Sequence, residues 1–362
     1  MNRGCIAEID LDAISNNLKT VKEMSGNRPV IAAVKADAYG HGAVEVAKRL
    51  VSNGVGYLAV AFTEEARELR EAGIKVPILV FFDPDIEDII KYSLVPVISD
   101  RKTAIAISDR AEKLNVCVDV HVKIDTGMGR MGIYDNHAEE IAGIAAFKGI
   151  NVVGVMSHFS EADLTDASFA QRQIYKFRTL KDGLSERGLK IKLFHISNSA
   201  AVMTIPESHF DAVRPGLMLY GYSPVQQSDK LVPAMSVKTR ILLLRKVLTG
   251  TPVSYGRTFI TKRDSLIGVI AAGYADGFSR RFSNNAEVLV RGKRVPVVGR
   301  VCMDLTMIDL TDLECVEEGD DVIIIGRQGD NSIDASELAI KADTIPYEIL
   351  TTFGNLSKRV YV

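Results

Sequence analysis

Only four cysteines occur in 362 residues, Cys5, Cys117, Cys302 and Cys315, and none forms a C-x-x-C pair. That scarcity argues against a disulfide framework and against a structural zinc site, so no metal is expected. No stretch approaches the roughly 18 consecutive apolar residues of a membrane span, and no membrane partner is expected. No apolar leader precedes the acidic Glu8, Asp10 and Asp12, from which a cytoplasmic location is expected. A basic excess is missing too: Lys plus Arg number 44 against 46 acidic residues, a formal charge of -2. Nucleic acid is therefore not an expected partner. There is no G-x-x-x-x-G-K-[ST] loop, and no Rossmann glycine fingerprint at the turn from a first strand into a helix, so nucleotide cofactors lack support.

What is present is order along the chain. At about 150 residues per domain the length suggests two domains. Apolar, β-branched runs fall near residues 30–34, 57–61, 77–82, 95–98, 116–123, 152–157, 193–196 and 210–213, with helical periodicity between most of them. Asp10 or Asp12 is placed to cap the first helix. Thr63 reads as the cap of another, with Glu64 and Glu65 in its first turn, and Asp83-Pro84 as the N-cap and N1 of the next. Eight continuous apolar strands alternating with helices predict an α/β protein, a (β/α)8 barrel over residues 11–231. Beyond it, runs at 237–247, 265–272, 286–290, 294–309 and 321–325 are parted by Gly, Asp and Asn, with helical texture only at 336–342 and 347–353. Residues 232–362 read as a mostly-β domain, joined by an N-terminal strand within residues 1–10.

Barrel enzymes carry their chemistry at the C-terminal ends of the strands. The strand near 30–34 runs into Lys35, and the strand near 116–123 ends in Lys123 and leads to Arg130. The strand near 152–157 delivers His158, 193–196 leads to Asn198 and Ser199, and 210–213 ends in Arg214-Pro215-Gly216. Taken singly, Lys35 is a solvated strand-end lysine, His158 a satisfied structural histidine, and Gly127, Gly129 and Gly132 are turn formers. Their convergence on one mouth favours chemistry, because desolvation there turns a lysine into a nucleophilic amine. The last two loops of a barrel often hold phosphate through backbone N–H groups and hydroxyls. Lys35 facing Ser199 and the Gly216 turn suits pyridoxal phosphate, whose aldehyde forms a Schiff base with lysine.

Residues 33–42, AVKADAYGHG, resemble the cofactor-lysine signature of the bacterial alanine racemase family. Residues 124–132, IDTGMGRMG, are similar to that family too, as are Val213-Arg214-Pro215-Gly216, Ser254-Tyr255-Gly256, Gly273-Tyr274-Ala275-Asp276-Gly277, Cys302-Met303-Asp304 and Ile345-Pro346-Tyr347-Glu348. The match runs through both domains in order. It implies that Lys35 carries pyridoxal phosphate and is one of two bases, Tyr255 of a partner subunit being the other. Arg214 is implied to meet the pyridine nitrogen as a charged donor, with His158 linking it to the tyrosine. Arg130 is implied to hold the substrate carboxylate, and Lys123 falls where the family carries a carbamylated lysine. Tyr39, Ser199, Gly216, Leu217 and Tyr347 fall at phosphate positions, Met303 and Asp304 at substrate positions reached across a homodimer, and Tyr274 at the access corridor. Without the resemblance, Tyr255 and Tyr274 read as sheet-core tyrosines.

The expected activity is interconversion of L- and D-alanine, a small amino-acid substrate, supplying D-alanine for peptidoglycan. A racemase for serine or a broader amino-acid set remains an alternative. A pyridoxal-phosphate decarboxylase would be expected to face the ring nitrogen with an acid and to hold phosphate with a glycine-rich run; Arg214 argues against it. A cofactor carrier built on the barrel alone would lack residues 232–362.

Overall fold

A computed structural model of the chain describes residues 4–225 and 230–362; positions 1–3 and 226–229 of the expected domain ranges lie outside them. The chain divides into two units. One comprises Ile14–Ala38 and Ala43–Val232, the other the chain through Ala13, Tyr39–Gly42 and Pro233–Val362.

The larger unit is built on parallel strands in chain order: Ile31–Ala33, Tyr57–Val60, Ile78–Val80, Val95–Ile98, Val118–Lys123, Ile150–Met156 and Leu193–His195. Short, almost wholly buried apolar strands of this kind suit a sheet covered on both faces. The expected eighth run contributes a single bridge instead of a strand. Asp211 N–H donates to the Phe194 carbonyl on one side, and Ile31 N–H donates to the Val213 carbonyl on the other, which closes the ring. Ile31, Ala59, Leu79, Val95, Val97, Met156, Leu193 and Ala212 fill its core. Burying each large aliphatic side chain there stabilises the barrel by about 1.5–3 kcal/mol.

Two helix starts differ from expectation. Thr63 is not a cap: Phe62 occupies the N-cap of Thr63–Glu71 and the Glu65 side chain accepts its N–H. Pro84 does not begin a helix, because Asp85 caps Ile86–Lys91 through the Asp88 N–H. At the first, Glu65 accepts from Ala61 and Phe62 N–H; at the second, Asp85 accepts from Asp88 N–H at 2.9 Å. Asp10 does cap the first helix, accepting from Ala13 at 2.8 Å.

The smaller unit holds a nine-stranded sheet. Ile6–Ile9 runs parallel to Lys358–Tyr361 and antiparallel to Met235–Val247, which also pairs Ser265–Ile270 and Asp321–Gln328. The single run expected at 294–309 is split into Lys293–Pro296 and Thr306–Asp309. The intervening loop carries Cys302, Met303 and Asp304, and the Cys302 and Met303 carbonyls accept from the N–H groups of Tyr274 and Ala275. The expected helices are Ala335–Ala342 and Pro346–Leu356.

Candidate active site

The strand Ile31–Ala33 leads into Lys35, and the chain then makes a turn that L-residues avoid. Ala36, Asp37 and Ala38 sit at φ 52 to 54° and ψ near 50°, and Tyr39 follows at φ 55°. One left-handed residue costs about 1–2 kcal/mol, so this stretch persists only because its surroundings hold it. The Asp37 carboxylate accepts from Ala43 N–H at 2.6 Å, and Ala38 N–H donates to the Val34 carbonyl at 2.8 Å. Lys35 is half-buried. Burial pulls its amine below the usual lysine range, Arg130 pulls it further, and Glu65 opposes both.

Lys123, at the end of Val118–Lys123, is buried, and its amine is pushed down to about 8 by burial and by Arg130, Arg214 and Lys35. Its ammonium lies 5.7 Å from the centre of the Phe82 ring. Arg130 leaves the same strand through a loop shaped by Asp125, whose carboxylate accepts from the N–H groups of Gly127, Met128 and Gly129, each at 2.8 Å. Gly127, Gly129 and Gly132 all have positive φ, so they are the turn formers that their spacing suggested.

Arg214 is the electrostatic centre of the barrel core. Nη1 donates to His195 Nδ1 at 2.7 Å and to its carbonyl at 2.9 Å. Nη2 donates to the Ser157 and Ile196 carbonyls at 2.7 and 3.1 Å and meets His158 Nδ1 at 3.2 Å. Nε–H, the fifth donor, has no protein acceptor among the described residues. Burial lowers Arg214 to about 9, and burial, then the charge of Arg214, hold His158 well below the usual histidine range. His195 Nε2 is 2.7 Å from His121 Nδ1. A Cβ on Gly154 would stand 2.3–2.6 Å from three atoms of the His121 ring, so this glycine makes room for the imidazole.

At the last strand ends, Asn198 caps Ser199–Thr204, and Ser199 Oγ accepts from Gly216 N–H at 2.9 Å and from Met218 N–H at 3.3 Å. Leu217 begins the 3-10 turn that follows. The serine proton stays available for an anion.

In the smaller unit Tyr39 and Tyr347 pair with ring centres 5.8 Å apart, and burial pushes the Tyr39 hydroxyl up. Tyr255 projects from a turn in which Ser254, Gly256 and Arg257 all have positive φ. Ser254 Oγ donates to the Arg300 carbonyl at 2.6 Å, tying that turn to the Cys302 loop. Tyr274 and Ala275 N–H groups donate to the Cys302 and Met303 carbonyls at 3.1 and 2.9 Å. Tyr255, Tyr274, Met303 and Asp304 are thus gathered on one face, and all four are exposed. Sequence reasoning missed His195, His121 and Glu65. His195 stood next to a flagged motif, whereas His121 and Glu65 gave no signal that spacing could reveal.

A barrel with a softened lysine amine at its first strand end and, at its last strand ends, a donor-only arginine and a serine hydroxyl with a proton to give defines an enzyme of lysine-based amine chemistry. The alanine racemase N-terminal domain model matches residues 9–224, and the C-terminal domain model matches 234–361. The chain belongs to the alanine racemase family and has that activity, interconverting the two enantiomers of alanine. It is 53% identical to the alanine racemase of Thermodesulfovibrio yellowstonii over 366 residues, covering 100% of this chain and 99% of that one. The crystal structure of alanine racemase from Streptomyces lavendulae aligns with a TM-score of 0.94 at 34% identity, covering 100% and 98%. That of Bartonella henselae, described with covalently bound pyridoxal phosphate, aligns at 0.90 and 30% identity, covering 99% of each.

Proposed function

We propose that racemisation proceeds through two bases, Lys35 and Tyr255 of the partner subunit, around pyridoxal phosphate held in the barrel mouth. The observation that carries this reading is Arg214: four of its N–H groups are spent on the protein and the fifth is left for a ring nitrogen. Lys35, with an amine lowered toward reactivity, and Ser199, with a hydroxyl proton to give, also suit an aldehyde that carries a phosphate.

When bound, the cofactor supplies an electron sink that acidifies the substrate Cα–H. Lys35 takes or returns a proton on one face of Cα and Tyr255 of the partner subunit acts on the other, so inversion needs no reorientation of the substrate. Arg214 only donates, so its Nε–H would meet a ring nitrogen as an acceptor and hold that atom unprotonated. His158, held neutral against Arg214, passes that constraint toward the tyrosine. Arg130 holds the substrate carboxylate with its fork, and Lys123, as a carbamate, orients Arg130. Ser199, Gly216 and Leu217 seat the phosphate, and the pair Tyr39 and Tyr347 keeps the phosphate role that the resemblance assigns it. Met303 and Asp304 contact substrate across the dimer, and Tyr274 guards access.

A groove of about 700 Å³ in the smaller unit supports the shared dimer. Leu243, Val253, Ile267 and Met307 line it beside exposed Tyr255, Met303 and Leu305, an apolar surface that a second copy would cover. Supply of D-alanine to peptidoglycan and a cytoplasmic location belong to the same reading. Incubation with L-alanine in deuterated water tests it. Loss of optical activity with deuterium at Cα is expected, and Lys35→Ala abolishes it; carbon dioxide release would identify a decarboxylase instead.

A further inference from the structure

Three backbone N–H groups converge on the carboxylate of Glu65. Oε1 accepts from Ala36 at 2.5 Å, while Oε2 accepts from Ala61 at 2.7 Å and Phe62 at 3.0 Å. The last two bonds cap the residue's own helix, Thr63–Glu71, and finish the loop after Tyr57–Val60. The first reaches across to the neighbouring strand end. Ala36 N belongs to the peptide group whose carbonyl is that of Lys35, so the bond pins the peptide plane directly behind the lysine. It also falls on the first residue of the left-handed stretch, where alanine has no side-chain means of holding a positive φ. Among the groups that set the state of the Lys35 amine, Glu65 is the one that favours its charged form.

We propose that Glu65 is a positioning residue for Lys35: its carboxylate locks the left-handed turn behind the lysine and so aims the amine at one face of the substrate. The proposal rests on the two-base reading and adds to it a residue that touches neither cofactor nor substrate.

The test uses the holoenzyme. Glu65→Gln keeps size but must turn an NH2 group toward one of the two sets of N–H donors, donor against donor. Two L- and D-alanine enantiomers have equal free energy, so kcat/KM is the same in both directions in any variant, and rates alone cannot say which base is disturbed. Isotope effects can. E65Q is expected to lower kcat/KM by about 10–100-fold, the scale of a misplaced catalytic group. The α-deuterium effect should rise for the enantiomer that Lys35 deprotonates and fall for the other. Without substrate, the visible circular dichroism of the bound cofactor should change, since it reports how the lysine presents it. Ala36→Gly, which frees positive φ at that position, should restore part of the loss when combined with E65Q. Isotope effects that move together, an unchanged dichroism, or no rescue by A36G would overturn the proposal. If E65Q alone does not fold, the same readouts on the A36G/E65Q protein decide it. Failure of the racemase reading is separate, because the unmodified protein would then leave alanine unchanged.

Discussion

Arg214 donates from Nη1 to Nδ1 of His195 at 2.7 Å, and because a guanidinium only donates, that bond fixes where the imidazole proton sits. His195 must carry its hydrogen on Nε2, which it gives to Nδ1 of His121. His121 in turn carries its hydrogen on Nε2, a buried atom with no partner among the described residues. The chain of donors therefore points one way, outward from the arginine, and neither histidine has a site left for a second proton without breaking it. Arg214 is held by two imidazoles and three carbonyls with no carboxylate among them, so its full charge stays directed at whatever meets Nε.

Gly154→Ala tests the fit at the far end of that chain. A methyl 2.3 Å from His121 Cε1 cannot be absorbed by a fully buried ring. The substitution is expected to destabilise the protein by about 1–3 kcal/mol, the usual range for overpacking. The double variant His121→Ala/Gly154→Ala should recover most of the glycine-specific loss. Urea denaturation of the four proteins reads the cycle, and strict additivity would contradict the contact.

Acid stability follows from the same histidines. Burial, and then the charge of Arg214, lower His121 from 6.5 to about 3. Between those values the unfolded chain binds a proton that the folded one refuses, so stability falls as pH falls from 6.5 toward 3. The slope is at most about 1.4 kcal/mol per pH unit for one such group. His121→Leu should flatten this limb of the stability curve, measured by urea midpoints from pH 7 down to pH 4. An unchanged limb would place the acid sensitivity elsewhere.

Lys123, brought down to about 8, is neutral in about a tenth of molecules at pH 7, against far fewer for an ordinary lysine, and only a neutral amine adds carbon dioxide. Labelled bicarbonate should yield one carbamate carbon signal by NMR, lost in Lys123→Met and on mild acidification. Persistence of the signal in Lys123→Met would assign it to another amine. In carbon-dioxide-free buffer the wild type should gain stability over Lys123→Met as pH rises from 8 toward 10.5. The sign follows because the folded state sheds that proton first.

Tyr255→Phe should separate exchange from inversion. Racemisation is expected to fall by about 10²–10⁴-fold, the contribution of one positioned acid–base group. Lys35 should still trade the α-proton of one enantiomer with deuterated solvent, with retention of configuration. NMR of recovered alanine measures both. Equal wash-in for the two enantiomers would show that a single base serves both faces.

Much of this site was legible because barrels place chemistry at strand ends. Lys35, Lys123, His158, Ser199 and Arg214 all stand where an apolar run stops, and chain order alone gathers them. The two tyrosine motifs and the Met303 loop were legible as signatures, although the run at 294–309 concealed the break that presents Met303. What escaped is the layer that works through long-range pairing. His121 lies mid-strand and gains meaning only from His195, 74 residues away, and from the gap left by Gly154. Glu65 looked like an ordinary first-turn acid, since a helix cap and a clamp on a distant peptide have the same local sequence. The caps at Phe62 and Asp85 were misplaced for a related reason: which acceptor reaches an orphan N–H depends on approach angles that residue types do not encode.

Lys35, Lys123, Arg130 and Arg214 each depress or are depressed by another member of the set, so the barrel folds against their mutual repulsion. Asp125 spends its carboxylate on three N–H groups and Glu65 on three more, which leaves both as partial answers to four cations. An arriving phosphate or carboxylate thus relieves a cost already carried by the fold. The melting temperature of this protein then doubles as a gauge of anion occupancy: it should climb with small anions that seat in the mouth, and climb less in high salt, where the repulsion is already screened.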